Sequence, residues 1–510
     1  MSDIYDVYKP LRNYLRNANL IESLIAIRWY INYTQFPDNN QDPRSIQVQV
    51  DPVFYQEMKS LLYMPPWHVA ILARELIINS TPTSLTLLHD FRSWNDIANA
   101  MNKLKAIENR IDTDRVNQGN VFHIISKLFP VQQFVWQENK PNKQTLIRYY
   151  YIYRNPKLRP IFENFFGISV EKHFMLGCIA WINFIKFLGL DYPPQLDEKF
   201  NVTLADYDKF LKHYSLTLEE IKQHLGDPDE RKLDQDFFYY FDSLKKYPMI
   251  LTDVGNKPAY ICPVPTYLFW RVTDGIYYEL CHEKGFDQAI GDGFKDYIGE
   301  VLKEQAYPET INVIDADIFI KASLPKPDWI FVNDTQAAFI ECKTKRMRLD
   351  ARTDINLSPG TLEQIEKLGE SVIQCYLAIQ DANKQSYEEL KTVKKIYPIV
   401  VTMENWYVYG DVMAQLGIKV REIAATKDIE EKFIDDNPYI VLSSQEFELL
   451  SVMLKTRSLE SILEPFLTDT KYHEWQFTSY LFHAFPNEPE NYKVFDDNIL
   501  DTVLKALEKD

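Results

Sequence analysis

Over residues 1–235 the apolar positions recur every three or four residues, the spacing that gives a helix one buried face. Ile21 to Tyr33, Trp67 to Asn79, Asn95 to Ile107, Val121 to Leu128 and Lys172 to Leu190 carry it most clearly. Thr217 and Glu220 form a capping-box pattern that opens a further helix. No repeat of fixed period is present, so a regular helical solenoid is not expected. Beyond residue 240 the pattern shortens. Tyr247 to Leu251 and Tyr260 to Pro265 read as extended segments around Gly255. Ala289 to Glu304 follows as an amphipathic helix, with Ile290, Phe294, Tyr297, Ile298 and Val301 on one stripe.

Period-2 runs rich in Ile, Val and Phe then predict three strands, Ile311 to Lys321, Trp329 to Val332 and Ala337 to Lys345, with Asn333-Asp334 as hairpin turn chemistry. After a polar loop, Thr361 and Gln364 fit a capping box for a helix over Leu362 to Gln380. Ile396 to Thr402 is a continuous apolar run, the mark of a strand buried on both faces. Ile418 to Ile423 reads as another strand, and Tyr439 to Leu442 with the helix from Gln445 closes the chain. The expected fold is therefore mixed: a largely α-helical N-terminal region and an α/β core with a central mixed sheet. Its divisions fall at residues 1–235, 236–425 and 426–510.

Composition narrows the picture. At 510 residues the chain is too long for one core. The five cysteines are scattered and lack paired spacing, so neither a disulfide framework nor a zinc ribbon is expected, and a reducing cytoplasm fits. The opening MSDIYDVYKP lacks the profile of a signal peptide, and the apolar run from Phe174 to Leu190, broken by Asn183 and Lys186, reads as a buried helix with no membrane role. A net charge of −17 argues against coating nucleic acid by general electrostatics. Residues 321–352 are the exception, with seven Lys/Arg against four acids, a balance of 7 − 4 = +3. There is no phosphate-binding glycine loop and no H-E-x-x-H zinc motif.

Candidate chemistry gathers on the second and third strands. Alternation puts Phe339, Glu341 and Lys343 on one face, and the hairpin carries Asp328 alongside the end of that strand. Two acids and a lysine suit metal-assisted phosphodiester hydrolysis: hard oxygen ligands for Mg²⁺, and a cation to orient water or neutralise developing charge.

Pro327-Asp328, twelve intervening residues, then Glu341-Cys342-Lys343 resembles the PD-(D/E)xK nuclease superfamily, over residues 285–405. The resemblance implies a restriction-endonuclease-like core in which Asp328, Glu341 and the Cys342 backbone carbonyl bind Mg²⁺ (Mn²⁺ able to substitute) and Lys343 activates water. Lys345, Arg346 and Arg348, from the basic island, and Gln374, from the following helix, are the expected DNA contacts. The sequence departs from the pattern in one place. Lys295 stands where a third acid is often found, leaving Asp296 or Glu300 as substitutes. The implied activity is that of a cytoplasmic, Mg²⁺-dependent DNA endonuclease of bacterial restriction or phage defence. Its partners are DNA and either a second copy of the chain or a second defence-system protein. The alternatives are a catalytically inactive nuclease-fold binding module and a structure-specific repair or resolvase nuclease.

Overall fold

The computed structural model describes residues 4–35, 64–80, 88–116, 135–138, 140–187, 189–194, 200–227, 232–240, 242–254, 257–305, 311–315, 326–333, 335–346, 359–385, 387–408, 410–472, 475–486 and 493–495. The chain is mixed α/β with two small mixed sheets, and it divides into two compact units. One comprises Met1–Tyr150, Pro160–Glu283 and Asn498–Asp510; the other comprises Tyr151–Arg159 and Lys284–Asp497.

The first unit is built on helices α1 (Ile4–Leu15), α2 (Leu20–Gln35), α3 (Pro66–Asn79), α4 (Trp94–Val116) and α5 (Val170–Lys186). Four of these meet expectations in place and type, while Val121 to Leu128 lies outside the described residues. Helix α5 is buried along most of its length, through Phe174, Met175, Leu176 and Phe184. No single helix among the described residues is long and apolar enough to cross a membrane. A small sheet pairs β1 (Leu190–Asp191), β2 (Ser215–Thr217), β3 (Met249–Val254) and β4 (Lys257–Ile261) in the order β1-β4-β3-β2. Thr217 caps the next helix and Glu220 returns the bond, the capping box read from sequence. Because α3 is buried nearly all round, its charged pair must be satisfied inside: Arg74 Nε donates to Glu75 Oε1 at 3.0 Å and Tyr8 Oη donates to Glu75 Oε2 at 2.8 Å.

The second unit holds the five-stranded sheet: β5 (Ile311–Asp315), β6 (Trp329–Asn333), β7 (Gln336–Lys343), β8 (Lys395–Thr402) and β9 (Ile440–Ser443), in that order. β5, β6 and β7 are antiparallel neighbours; β8 and β9 run parallel to β7. Residues 316–325 lie outside the described residues, so β5 is seen only to Asp315. Asn333 pairs with Gln336 in the ladder, one position later than the expected turn. Helix α6 (Phe286–Gln305) packs on β5 and β7, while α7 (Pro359–Gln385) lies between β7/β8 and α8 (Gly410–Thr426). Phe339, Ile330 and Val400 join Ile365, Val372, Tyr376 and Leu416 in one apolar core. Cys375 permits close approach there: its Sγ sits 3.8 Å from the backbone oxygens of Phe339 and Ile399.

Two local expectations are corrected. Ile418 to Ile423 is the middle of α8, not a strand: Val412, Leu416, Val420 and Ala424 are its buried residues, a period of four that a six-residue window hides. Thr361 is not a helix cap, since α7 already begins at Pro359; Thr361 is buried within its first turn. Pro359 at the start suits a helix, because the missing N–H is one that no turn would have bonded.

Candidate functional site

The hairpin β6–β7 brings together the residues that the sequence separates. Trp329 pairs with Ile340, so Asp328 falls beside the exit of β7. The Asp328 N–H donates to the Ile340 carbonyl at 2.8 Å, and Asp328 Oδ2 accepts from the Cys342 N–H at 2.8 Å. Two backbone bonds thus fix the aspartate at the strand end. On β7 the expected alternation is realised: Lys343 Nζ donates to Glu341 Oε1 at 2.6 Å. Glu341 is only 5% exposed, whereas Lys343 and Asp328 are half-buried. The second oxygen, Glu341 Oε2, is buried and finds no hydrogen-bond partner among the described residues.

Burial is the largest influence on Glu341. It raises the carboxyl from the ordinary 4.5 to about 7, against the pull of Lys343 and with the help of the Asp328 charge. The Cys342 thiol is also driven well above its ordinary range, by burial first and then by Asp328 and Glu341. It therefore stays a thiol, which leaves the peptide carbonyl as the oxygen donor Cys342 can offer.

Helix α6 adds a residue the sequence reading had noted only as a departure. Lys295 Nζ lies 3.9 Å from Asp328 Oδ1, and 5.9 Å from the centre of the Trp329 ring. The helix is held there by Trp329, whose indole N–H donates to the Lys295 carbonyl at 2.8 Å. It can come that close only because residue 299 is glycine: a Cβ on Gly299 would lie 2.1 Å from Trp329 Cζ2. The proposed substitutes for a third acid are engaged otherwise. Asp296 Oδ2 accepts from Asn155 at 2.7 Å, and Glu300, exposed, pairs with Lys303 at 3.4 Å. Among the described residues no three His, Cys, Asp or Glu side chains gather as a metal cluster. What gathers is two carboxylates and two ammonium groups.

The expected nucleic-acid contacts fall in different settings. Lys345 is exposed next to Lys367; partial burial and that neighbour lower its pKa. Arg346 is buried, its guanidinium 3.7 Å from Glu404, so this member of the basic island faces inward. Arg348 lies outside the described residues. Gln374 is half-buried in α7 between Ile373 and Cys375, and Gln364 is buried with its Oε1 lacking a partner among the described residues.

Past the site, the β7 exit is tied to the loop after β8. The Met403 N–H donates to the Lys343 carbonyl at 2.9 Å, and the Trp406 indole N–H donates to the Lys345 carbonyl at 3.2 Å. No family model, curated protein or solved structure matches this chain.

Proposed function

We propose that the chain is a Mg²⁺-dependent DNA endonuclease acting in bacterial restriction or phage defence. One observation carries the reading: a buried glutamate with one oxygen unpartnered, beside a backbone-anchored aspartate and within 2.6 Å of a lysine. An orphaned oxygen on a buried acid is costly; the helix-capping Asp242 also has one, but Glu341 differs in lying beside a second acid and two lysines. The order of helix α6, hairpin β6–β7, helix α7 and parallel strand β8 supports the resemblance to the PD-(D/E)xK core.

The residues fit a hard cation. Mg²⁺ keeps several waters and asks for only one or two protein carboxylates, so Asp328, Glu341 and the Cys342 carbonyl suffice as donors. When bound, the ion would supply Lewis-acid charge and an acidified water. The protein's own part is then as follows. Glu341 would give up its proton to become a ligand, a change that its raised pKa of about 7 opposes at lower pH and that the ion's charge would favour. Lys343, released from Glu341, places its ammonium on the attacking water or on the charge that develops at phosphorus. Lys345 offers a phosphate contact on the exposed side. Lys295 replaces a third acid, lowering the local negative charge and favouring a site with fewer metal ions.

A specific observation also favours a second reading, an inactive nuclease fold that binds DNA or a partner. Lys295 against Asp328 and Lys343 against Glu341 already neutralise both acids. Supercoiled plasmid incubated with the full chain in Mg²⁺ or Mn²⁺, with and without chelator, separates the readings. Metal-dependent nicking is expected. A folded protein that binds DNA but leaves linear and branched duplexes uncut in both metals would overturn the enzyme in favour of the binding module.

A further inference from the structure

Behind the β7 exit, within the second unit, is a cavity of about 430 Å³ that the nuclease reading does not use. Its volume lies in the range of small-molecule sites. It is walled by residues from β8 and β9, from α8 and from the stretches 466–472 and 475–477. Six aromatic rings contribute: Trp406, Tyr439, Phe466, Tyr472, Trp475 and Phe477. A pocket for an alkyl chain would need no more than these. This one also has Gln476, whose Nε2 is buried without a hydrogen-bond partner among the described residues, and Arg421.

Three charged residues line the cavity, Arg421 and the carboxylates Asp435 and Glu446; the last is occupied by Ser443 and Thr478. Arg421 is exposed and shares one 2.8 Å bond with the equally exposed Asp435. Such a pair is worth little, and a guanidinium has donors to spare for an anion. Flat apolar walls, one unsatisfied amide and one exposed guanidinium specify a ligand with three parts: a planar ring system, a polar ring edge and a negative group.

We propose that this cavity binds a nucleotide, the base against the aromatic walls with its edge on Gln476 and the phosphate at Arg421. The same chemistry is offered by a free nucleotide and by an unstacked nucleotide of a single strand. Trp406 connects the pocket to the catalytic candidate, since the ring that lines the cavity also bonds the Lys345 carbonyl. An occupant therefore bears directly on the strand exit that carries Lys343. The proposal stands apart from the nuclease reading, because Asp328 and Glu341 do not line the cavity.

The test is a tryptophan-fluorescence titration of the full chain, without metal, using the four common nucleoside 5′-monophosphates, the matching nucleosides and a short single-stranded DNA. Saturable quenching by a monophosphate is expected, and Trp475→Ala should weaken it roughly tenfold, the usual loss for one base-stacking ring. Gln476→Ala, a position whose side chain caps no helix, should weaken it a few-fold. Arg421→Gln should weaken the monophosphate and leave the nucleoside unchanged. Binding of the oligonucleotide alone would assign the site to a strand rather than a free nucleotide. No saturable signal from any of these probes at millimolar concentration, with the thermal melt intact, overturns the proposal. So does equal affinity in the Trp475 and Gln476 variants.

Discussion

Two buried glutamates, one in each unit, show how differently a protein can treat the same group. Glu75 on α3 is fully buried, with Arg74 on one oxygen and the Tyr8 hydroxyl on the other. Glu341 on β7 is nearly as buried, yet only one of its oxygens is bonded, by Lys343. The first arrangement closes a hydrogen-bond account and holds α1 against α3. The second leaves a capacity open at the end of a sheet, where Asp328 and two lysines converge. Neither buried charge nor an unmet oxygen marks function alone, since the buried helix cap Asp242 has both; what sets Glu341 apart is the unmet oxygen next to a second acid and two lysines.

The contrast can be broken most forcefully at Glu75. Glu75→Gln removes one of the two buried carboxylates, with Asp242, that act on the Arg74 guanidinium, and should destabilise the protein by about 3 kcal/mol in chemical denaturation. Cleavage per folded molecule should not change. Next comes the pH dependence of Glu341. Its folded pKa of about 7 lies above the ordinary 4.5, so the folded state holds a proton that the unfolded chain releases between those values. Stability should therefore fall as pH rises through that window, by on the order of 3 kcal/mol in metal-free protein. Glu341→Gln should lack this component when the two are compared at about pH 5 and about pH 8.

A smaller effect is expected at the helix that brings Lys295. Gly299→Ala forces a methyl into Trp329, and about 1–3 kcal/mol of stability should be lost as α6 moves away. The smallest is at Lys295 itself. Its contact with Asp328 is long and partly exposed, so Lys295→Met should alter stability by under about 1 kcal/mol. Calorimetry should show Mg²⁺ binding a few-fold tighter in that variant, because a competing charge is gone.

Much of the second unit was readable in the chain because period-2 patterns speak directly. Alternation along β7 paired Glu341 with Lys343, and the hairpin implied Asp328 beside them; both relations hold in the structure. Where the local pattern is ambiguous, tertiary packing decided. IKVREI alternates like a strand, but Val412, Leu416, Val420 and Ala424 place it in a helix that packs on α7. Arg346 reads as part of a basic loop, yet Glu404, from a distant segment, takes it inside. Lys295 was visible as a departure from a pattern, and its proximity to Asp328 could not be, since it depends on α6 lying on Trp329. The aromatic cavity was illegible for the same reason: its walls come from separated segments, each of which alone reads as ordinary packing.

The decisive measurement is the initial rate of plasmid nicking in Mg²⁺ by the wild type, Lys343→Ala and Asp328→Ala, prepared identically and shown to be folded. Wild-type protein should nick, Lys343→Ala should fall by about 10²–10³-fold with metal affinity retained, and Asp328→Ala should lose both metal binding and activity. Equal nicking by all three would place the activity elsewhere and contradict the assignment of this site.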